Sequence, residues 1–174
     1  MGGVGLLAAG VPAVAGEPLP GFDLAMGARR VNLFRPASRE HLSIEYLREG
    51  QWAPSAYPQL CWLLRDVRAG QYAQMDPTLI AILDWTQQYL SQYGYEDPVH
   101  VLSGYRTVQT NEKTEGAVRN SHHLYGKAVD IRIPGLPTAY LGKLMAWLSK
   151  GGVGVYSHAE FVHVDTGRVR VWRH

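Results

Sequence analysis

Lys127-Ala128-Val129-Asp130-Ile131-Arg132-Ile133 is the stretch on whose reading the fold depends. Successive side chains of a strand point to opposite faces, so Val129, Ile131 and Ile133 share one face and Ala128, Asp130 and Arg132 the other. The apolar set belongs to a core, which turns Asp130 away from that core and toward a cleft. Downstream, a helix is expected from about Thr138 to Ser149, with Leu141, Leu144, Met145 and Leu148 inward and Gly151-Gly152 as its stop. Short strands follow at Gly154 to Tyr156 and Phe161 to Asp165, then at Val169 to Trp172. Upstream lies a strand at Val99 to Leu102 and a polar stretch from Thr107 to Asn120. Further back, Asp76 as N-cap and Pro77 at the first helical position open the clearest helix. Leu79, Ile82, Leu83, Thr86 and Leu90 line one face of it, and Gly94 ends it. A shorter helix is expected near Leu60 to Val67. Val31, Leu33 and then Leu42, Ile44, Tyr46 alternate with polar residues, giving two strands joined around Pro36-Ala37-Ser38. Strands dominate the C-terminal half without a strand-helix-strand rhythm. The expectation is α+β: a mostly antiparallel sheet with flanking helices, one domain over residues 29–174.

Composition narrows the function classes. The 174 residues are enough for one hydrophobic core, and 46% of them are hydrophobic. Seventeen basic residues against fifteen acidic give a net charge of +2, which excludes the basic footprint of a nucleic-acid binder. Cys61 is the only cysteine, so neither an internal disulfide nor a thiolate zinc site can be built. Met1 to Ala15 is uncharged, small and apolar and ends Ala13-Val14-Ala15. This resembles the apolar and cleavage parts of a secretory signal without its basic start. Residues 1–28 are therefore read as a signal-like remnant and linker, and the protein as exported to the periplasm. The apolar run is too short, and too rich in Gly and Pro, for a membrane span.

Five of the seven histidines lie beyond residue 120. Imidazole nitrogen and carboxylate oxygen are zinc donors, and a catalytic zinc takes three protein ligands plus water. Two His and one Asp complete such an open site. In Phe161 to Asp165, alternation puts His163 and Asp165 on one face, opposite Val162 and Val164. Tyr125-Gly126 supplies a bend that returns His123 toward Asp130.

Ser121-His122-His123-Leu124-Tyr125-Gly126-Lys127-Ala128-Val129-Asp130 resembles the S-x-H-x-x-G-x-A-x-D signature of the M15-type zinc D-Ala-D-Ala peptidases. Glu160-Phe161-Val162-His163 is similar to their E-x-x-H, and Ser103-Gly104-Tyr105-Arg106 to the segment carrying their active-site arginine. Gly151 to Tyr156, Phe161 to Gly167 and Arg170-Val171-Trp172 look closer still to the murein endopeptidase K-like branch. The resemblance implies a domain of the hedgehog/D-Ala-D-Ala peptidase type, with Zn2+ held by His123, Asp130 and His163. Arg106 would stabilise the tetrahedral oxyanion.

For the general base the residues conflict. Glu160 is nominated by E-x-x-H, yet it stands three positions from His163 and reaches the metal water only if the chain bends just before Phe161. Asp165 has the right face, but an acid there can equally hold the far nitrogen of His163. Glu160 is read as base and Asp165 as orienting partner, with exchanged roles as the alternative. The function implied is a zinc metallopeptidase acting on peptidoglycan peptides, as an endopeptidase on cross-links. The alternatives are a D,D-carboxypeptidase or dipeptidase on small peptides, and a non-catalytic wall-binding protein.

Overall fold

The computed structural model describes residues 27–174, so the signal-like segment and all but the end of the linker lie outside the described residues. The chain opens with β1 (Ala28–Arg35), β2 (Glu40–Arg48) and β3 (Gln51–Trp52), then α1 (Ala56–Leu63) and α2 (Pro77–Ser91). β4 (Val99–Ser103), α3 (Val108–Glu112), a 3₁₀ turn (His122–Tyr125) and β5 (Ala128–Arg132) follow. α4 (Thr138–Leu148), β6 (Gly152–Tyr156), β7 (Phe161–Asp165) and β8 (Arg170–Arg173) close it. No helix among the described residues is long and apolar enough to cross a membrane.

All eight strands join one sheet in the order β3-β2-β1-β4-β5-β7-β6-β8. The expected α+β class holds, but the expected mostly antiparallel sheet is corrected to a mixed one. β1 runs parallel to β4, and β6 runs parallel to β8. The physical reason is the crossovers: α1 and α2 lie between β1 and β4 along the chain, and hairpin β6-β7 sends the chain back to the outer edge of β6. Local alternation fixes which face a residue takes, and it carries no information on which distant strand lies beside it.

One face of the sheet buries the core. Val31 and Leu33 of β1, Val99 and Val101 of β4, Val129 and Ile131 of β5, and Val162 and Val164 of β7 are almost fully buried. They share a single cluster with Leu79, Ile82 and Leu83 of α2 and Leu141, Met145 and Leu148 of α4. α2 starts where Asp76 accepts a hydrogen bond from the Thr78 amide at 2.9 Å, with Pro77 at the first position. A buried ion pair ties it to the sheet: Arg29 Nε donates to Asp84 at 3.0 Å, and the Tyr46 hydroxyl donates to the same carboxylate at 2.8 Å. Removing one partner would leave an uncompensated charge, at a cost of about 3–5 kcal/mol.

Two local expectations shift. The short helix begins at Ala56, earlier than expected. The polar stretch contains α3, started by the Thr107 hydroxyl, which accepts from the Thr110 amide. Among the tryptophans, Trp62 and Trp147 are exposed, whereas Trp85 is buried.

Candidate metal centre

The face opposite the core carries the chemistry, and strand register assembles it. Asp130 of β5 stands directly opposite Ser103 of β4 on one side and His163 of β7 on the other. Beyond His163 the row continues through Gly154 of β6 to Trp172 of β8. His123 enters from the 3₁₀ turn. Ser121 starts that turn by accepting from the His123 amide, and Gly126 ends it with a φ of +65°. Only glycine fits there: a Cβ would stand 2.3 Å from the carbonyl oxygen of Gln74.

Three donor atoms converge. His123 Nε2 lies 3.2 Å from Asp130 Oδ1 and 3.2 Å from His163 Nδ1, and His163 Nδ1 lies 2.9 Å from Asp130 Oδ1. Ligand atoms around a tetrahedral zinc at about 2.0–2.1 Å stand roughly 3.3 Å apart, close to these edges. Protonation supplies a second test of fit. His123 Nδ1–H donates to the Gly104 carbonyl at 2.6 Å, so in the neutral ring Nε2 presents a lone pair. Burial pushes His123 down from its usual value, toward that neutral form. Burial opposes ionisation of Asp130, but the two imidazoles against it hold its carboxyl well below the usual carboxylate range. A lone pair therefore faces a carboxylate oxygen at 3.2 Å with no proton between them, an arrangement that a cation completes. His123, Asp130 and His163 fit a divalent metal.

The remaining groups brace these three. His163 Nε2 lies 3.1 Å from Asp165 Oδ2. Asp165 is fully buried and accepts four further bonds, from the Gly152 and Gly167 amides and from both terminal nitrogens of Arg170. Burial alone would raise its pKa, yet the bonds from His163, Arg170 and the two amides bring it far below the usual range. Every lone pair of Asp165 is thus engaged, which suits an orienting partner and leaves nothing to take a proton from water. Arg106 Nη2 donates to Asp130 Oδ2, and its Nε donates to Ser103 Oγ at 2.7 Å.

The bend before Phe161 exists, with Glu160 at φ +53°. It turns the Glu160 side chain outward, 72% exposed, toward Arg132 at 3.8 Å. Glu160 is absent from the residues lining the cleft, an arrangement that does not support the reading of it as general base. His158 lies exposed in the same turn.

The cleft above the donor atoms has a volume of about 860 Å³. Sequence reasoning missed several of its residues. His122 lines it, and its ring packs on Gly167. Trp172 and Arg170 form part of the wall. Their signal was available in Arg170-Val171-Trp172, whose ends share a strand face, but the face alone did not say which strand lay beside them. Gly104 acts through its carbonyl, which no side-chain pattern reports.

Comparison with known proteins gives the chain a family. The family described as peptidoglycan L,D-endopeptidase MepK matches residues 23–172. A probable peptidoglycan L,D-endopeptidase MepK of Haemophilus influenzae is 34% identical over 176 residues, covering 98% of this chain and 89% of that protein. The peptidoglycan L,D-endopeptidase MepK of Escherichia coli K12 is 31% identical over 180 residues, covering 99% and 93%. No solved structure matches the chain at comparable significance.

Proposed function

We propose, from the premise that the chain belongs to the family described as peptidoglycan L,D-endopeptidase MepK, that it is a zinc metallopeptidase hydrolysing peptide cross-links of peptidoglycan. The observation that carries the reading is the convergence of His123 Nε2, Asp130 Oδ1 and His163 Nδ1 within 2.9–3.2 Å at the floor of a cleft. Zinc held by these three atoms would keep a position for water and lower that water's pKa to about 7.

The chain's own groups divide the rest of the work. Gly104 fixes the His123 ring through Nδ1–H, and Asp165 fixes the His163 ring through Nε2, so both near nitrogens stay aimed at one point. Arg106 holds Asp130 with one terminal nitrogen, and its Nη1 has no partner among the described residues. A fixed guanidinium charge beside the scissile carbonyl would stabilise the oxyanion that forms there. The cleft, near the upper end of the roughly 300–1,000 Å³ usual for small-molecule sites, has room for a branched cross-link and supports endopeptidase action ahead of dipeptide cleavage. Family membership also supports a domain of the hedgehog/D-Ala-D-Ala peptidase type. Action on the wall supports a location outside the cytoplasm, in the periplasm.

The test is to incubate the purified, zinc-loaded protein with intact sacculi, cross-linked muropeptides and D-alanyl-D-alanine, then separate the products. Conversion of cross-linked dimers to monomers is the expected result. Release of free alanine from the dipeptide, with dimers left intact, would reverse the reading toward an exopeptidase.

A further inference from the structure

β8 lies parallel to β6 at the edge of the sheet, with Arg170 beside Gly152 and Trp172 beside Gly154. β6 therefore presents Val153 and Val155 to one face, and Gly152, Gly154 and then Tyr156 to the face of the metal centre. Side chains from β8 lie across the two glycines and reach β7. Arg170 grips Asp165 with both ends of its guanidinium, Nη2 to Oδ2 at 2.7 Å and Nη1 to Oδ1 at 3.1 Å. Oδ2 is the same oxygen that faces His163 Nε2 at 3.1 Å. Trp172 in turn backs both groups: its ring stands 5.4 Å from that of His163, and Arg170 Cζ sits 4.9 Å above it.

The space for this grip is specific. A Cβ on Gly152 would stand 2.3 Å from Arg170 Nη1 and 2.5 Å from Asp165 Oδ2, and one on Gly154 would stand 2.6 Å from the Trp172 ring. No side chain larger than hydrogen fits beneath either residue without displacing it. A bidentate guanidinium–carboxylate pair fixes the carboxylate plane, whereas a single donor leaves it free to rotate. The plane of Asp165 sets where Oδ2 lies, and Oδ2 sets the angle of the His163 ring.

We propose that Arg170 is a positioning residue of the metal centre, acting on His163 through Asp165 across Gly152 and Gly154 of β6. The proposal rests on the reading of His163 as a metal ligand. It predicts that Arg170 governs how tightly metal is held, although it touches no ligand atom itself.

The experiment is zinc affinity of the whole chain, measured by competition with a chromophoric chelator, with thermal unfolding of each metal-free variant alongside. Arg170→Ala is expected to bind zinc about 10–100-fold more weakly than wild type, the range for groups that orient a metal-bound histidine, while staying folded at the assay temperature. Arg170→Lys should recover part of the loss and Arg170→Gln little of it. In an Asp165→Asn background, Arg170→Ala should add no further loss, because its route to the metal is already cut. If Asp165→Asn does not fold, Gly152→Ala takes its place and should weaken zinc binding with Arg170 and Asp165 both present. Wild-type affinity in Arg170→Ala, losses that multiply in the double variant, or a loss explained by unfolding would each overturn the proposal. A wild-type chain that binds no zinc would overturn the metal reading beneath it, a result distinguishable from the others.

Discussion

The ring of His123 and the carbonyl oxygen of Gly104 are 2.6 Å apart, joined by the Nδ1–H of the histidine. Gly104 is itself held close, since a Cβ there would overlap the carbonyl of Leu64 at 2.2 Å, and the next amide, of Tyr105, donates to that carbonyl at 2.8 Å. The tautomer of His123 is thus set by packing between a loop and the end of α1. Nε2 is left as the nitrogen that faces the metal centre.

Metal removal and ligand loss should therefore coincide. Purified protein is expected to carry about one zinc per chain, to lose activity on chelation and to regain it with zinc. His163→Ala should abolish both metal and activity with the fold intact by circular dichroism. His123→Ala should do the same and also cost about 1–3 kcal/mol, because the buried Gly104 carbonyl loses its donor. Native protein free of metal, with activity indifferent to chelator, would refute the assignment.

Arg106 is expected to separate chemistry from metal retention. In Arg106→Lys one nitrogen replaces the planar fork whose Nε and Nη2 reach Ser103 and Asp130 separately while Nη1 points elsewhere. Turnover should fall on the order of 10²–10³-fold, with zinc content by elemental analysis near one per chain. Unchanged kcat would remove Arg106 from the reaction.

Glu160→Asn should stabilise the protein without slowing it. The residue sits in the left-handed region at φ +53° with an exposed side chain, and asparagine tolerates that conformation better than glutamate. A gain of up to about 1 kcal/mol corresponds to roughly 2–4 °C in Tm for a domain of this size. A large loss of turnover would return Glu160 to the role of base.

Gly126→Ala tests how the 3₁₀ turn is held. The positive φ costs an L-residue about 1–2 kcal/mol, and the overlap with Gln74 adds to it. A destabilisation above about 2 kcal/mol is expected by thermal melting, with weaker zinc binding because the turn carries His123. A variant that melts and binds like wild type would show that the turn relaxes freely.

The convergence of His123, Asp130 and His163 was legible in the sequence because each rests on local pattern. Alternation in Lys127–Ile133 and Phe161–Asp165 aims Asp130 and His163, and the glycine bend returns His123. The rest depended on neighbours that periodicity does not name. Arg170 matters because β8 lies beside β6, a parallel pairing between segments whose own patterns are indifferent to it. Glu160 matched a motif, but its direction was decided by the backbone angle of one turn residue. The parallel contact of β1 with β4 was hidden for the same reason as that of β8. It follows from the helices that separate the two strands, and no residue in either encodes it alone.

β5 has Asp130 on one side and fully buried Ile131 on the other. Donor atoms must hold position to within about 0.5 Å to be productive, and trimming a buried isoleucine allows the surrounding structure to relax by only part of the cavity it leaves. Hydrolysis thus becomes a strain gauge for the hydrophobic side of the sheet. Ile131→Val would leave every metal-centre residue intact, and any drift of the strand toward the vacated methyl group would register as slower cleavage well before the melting curve moved by much.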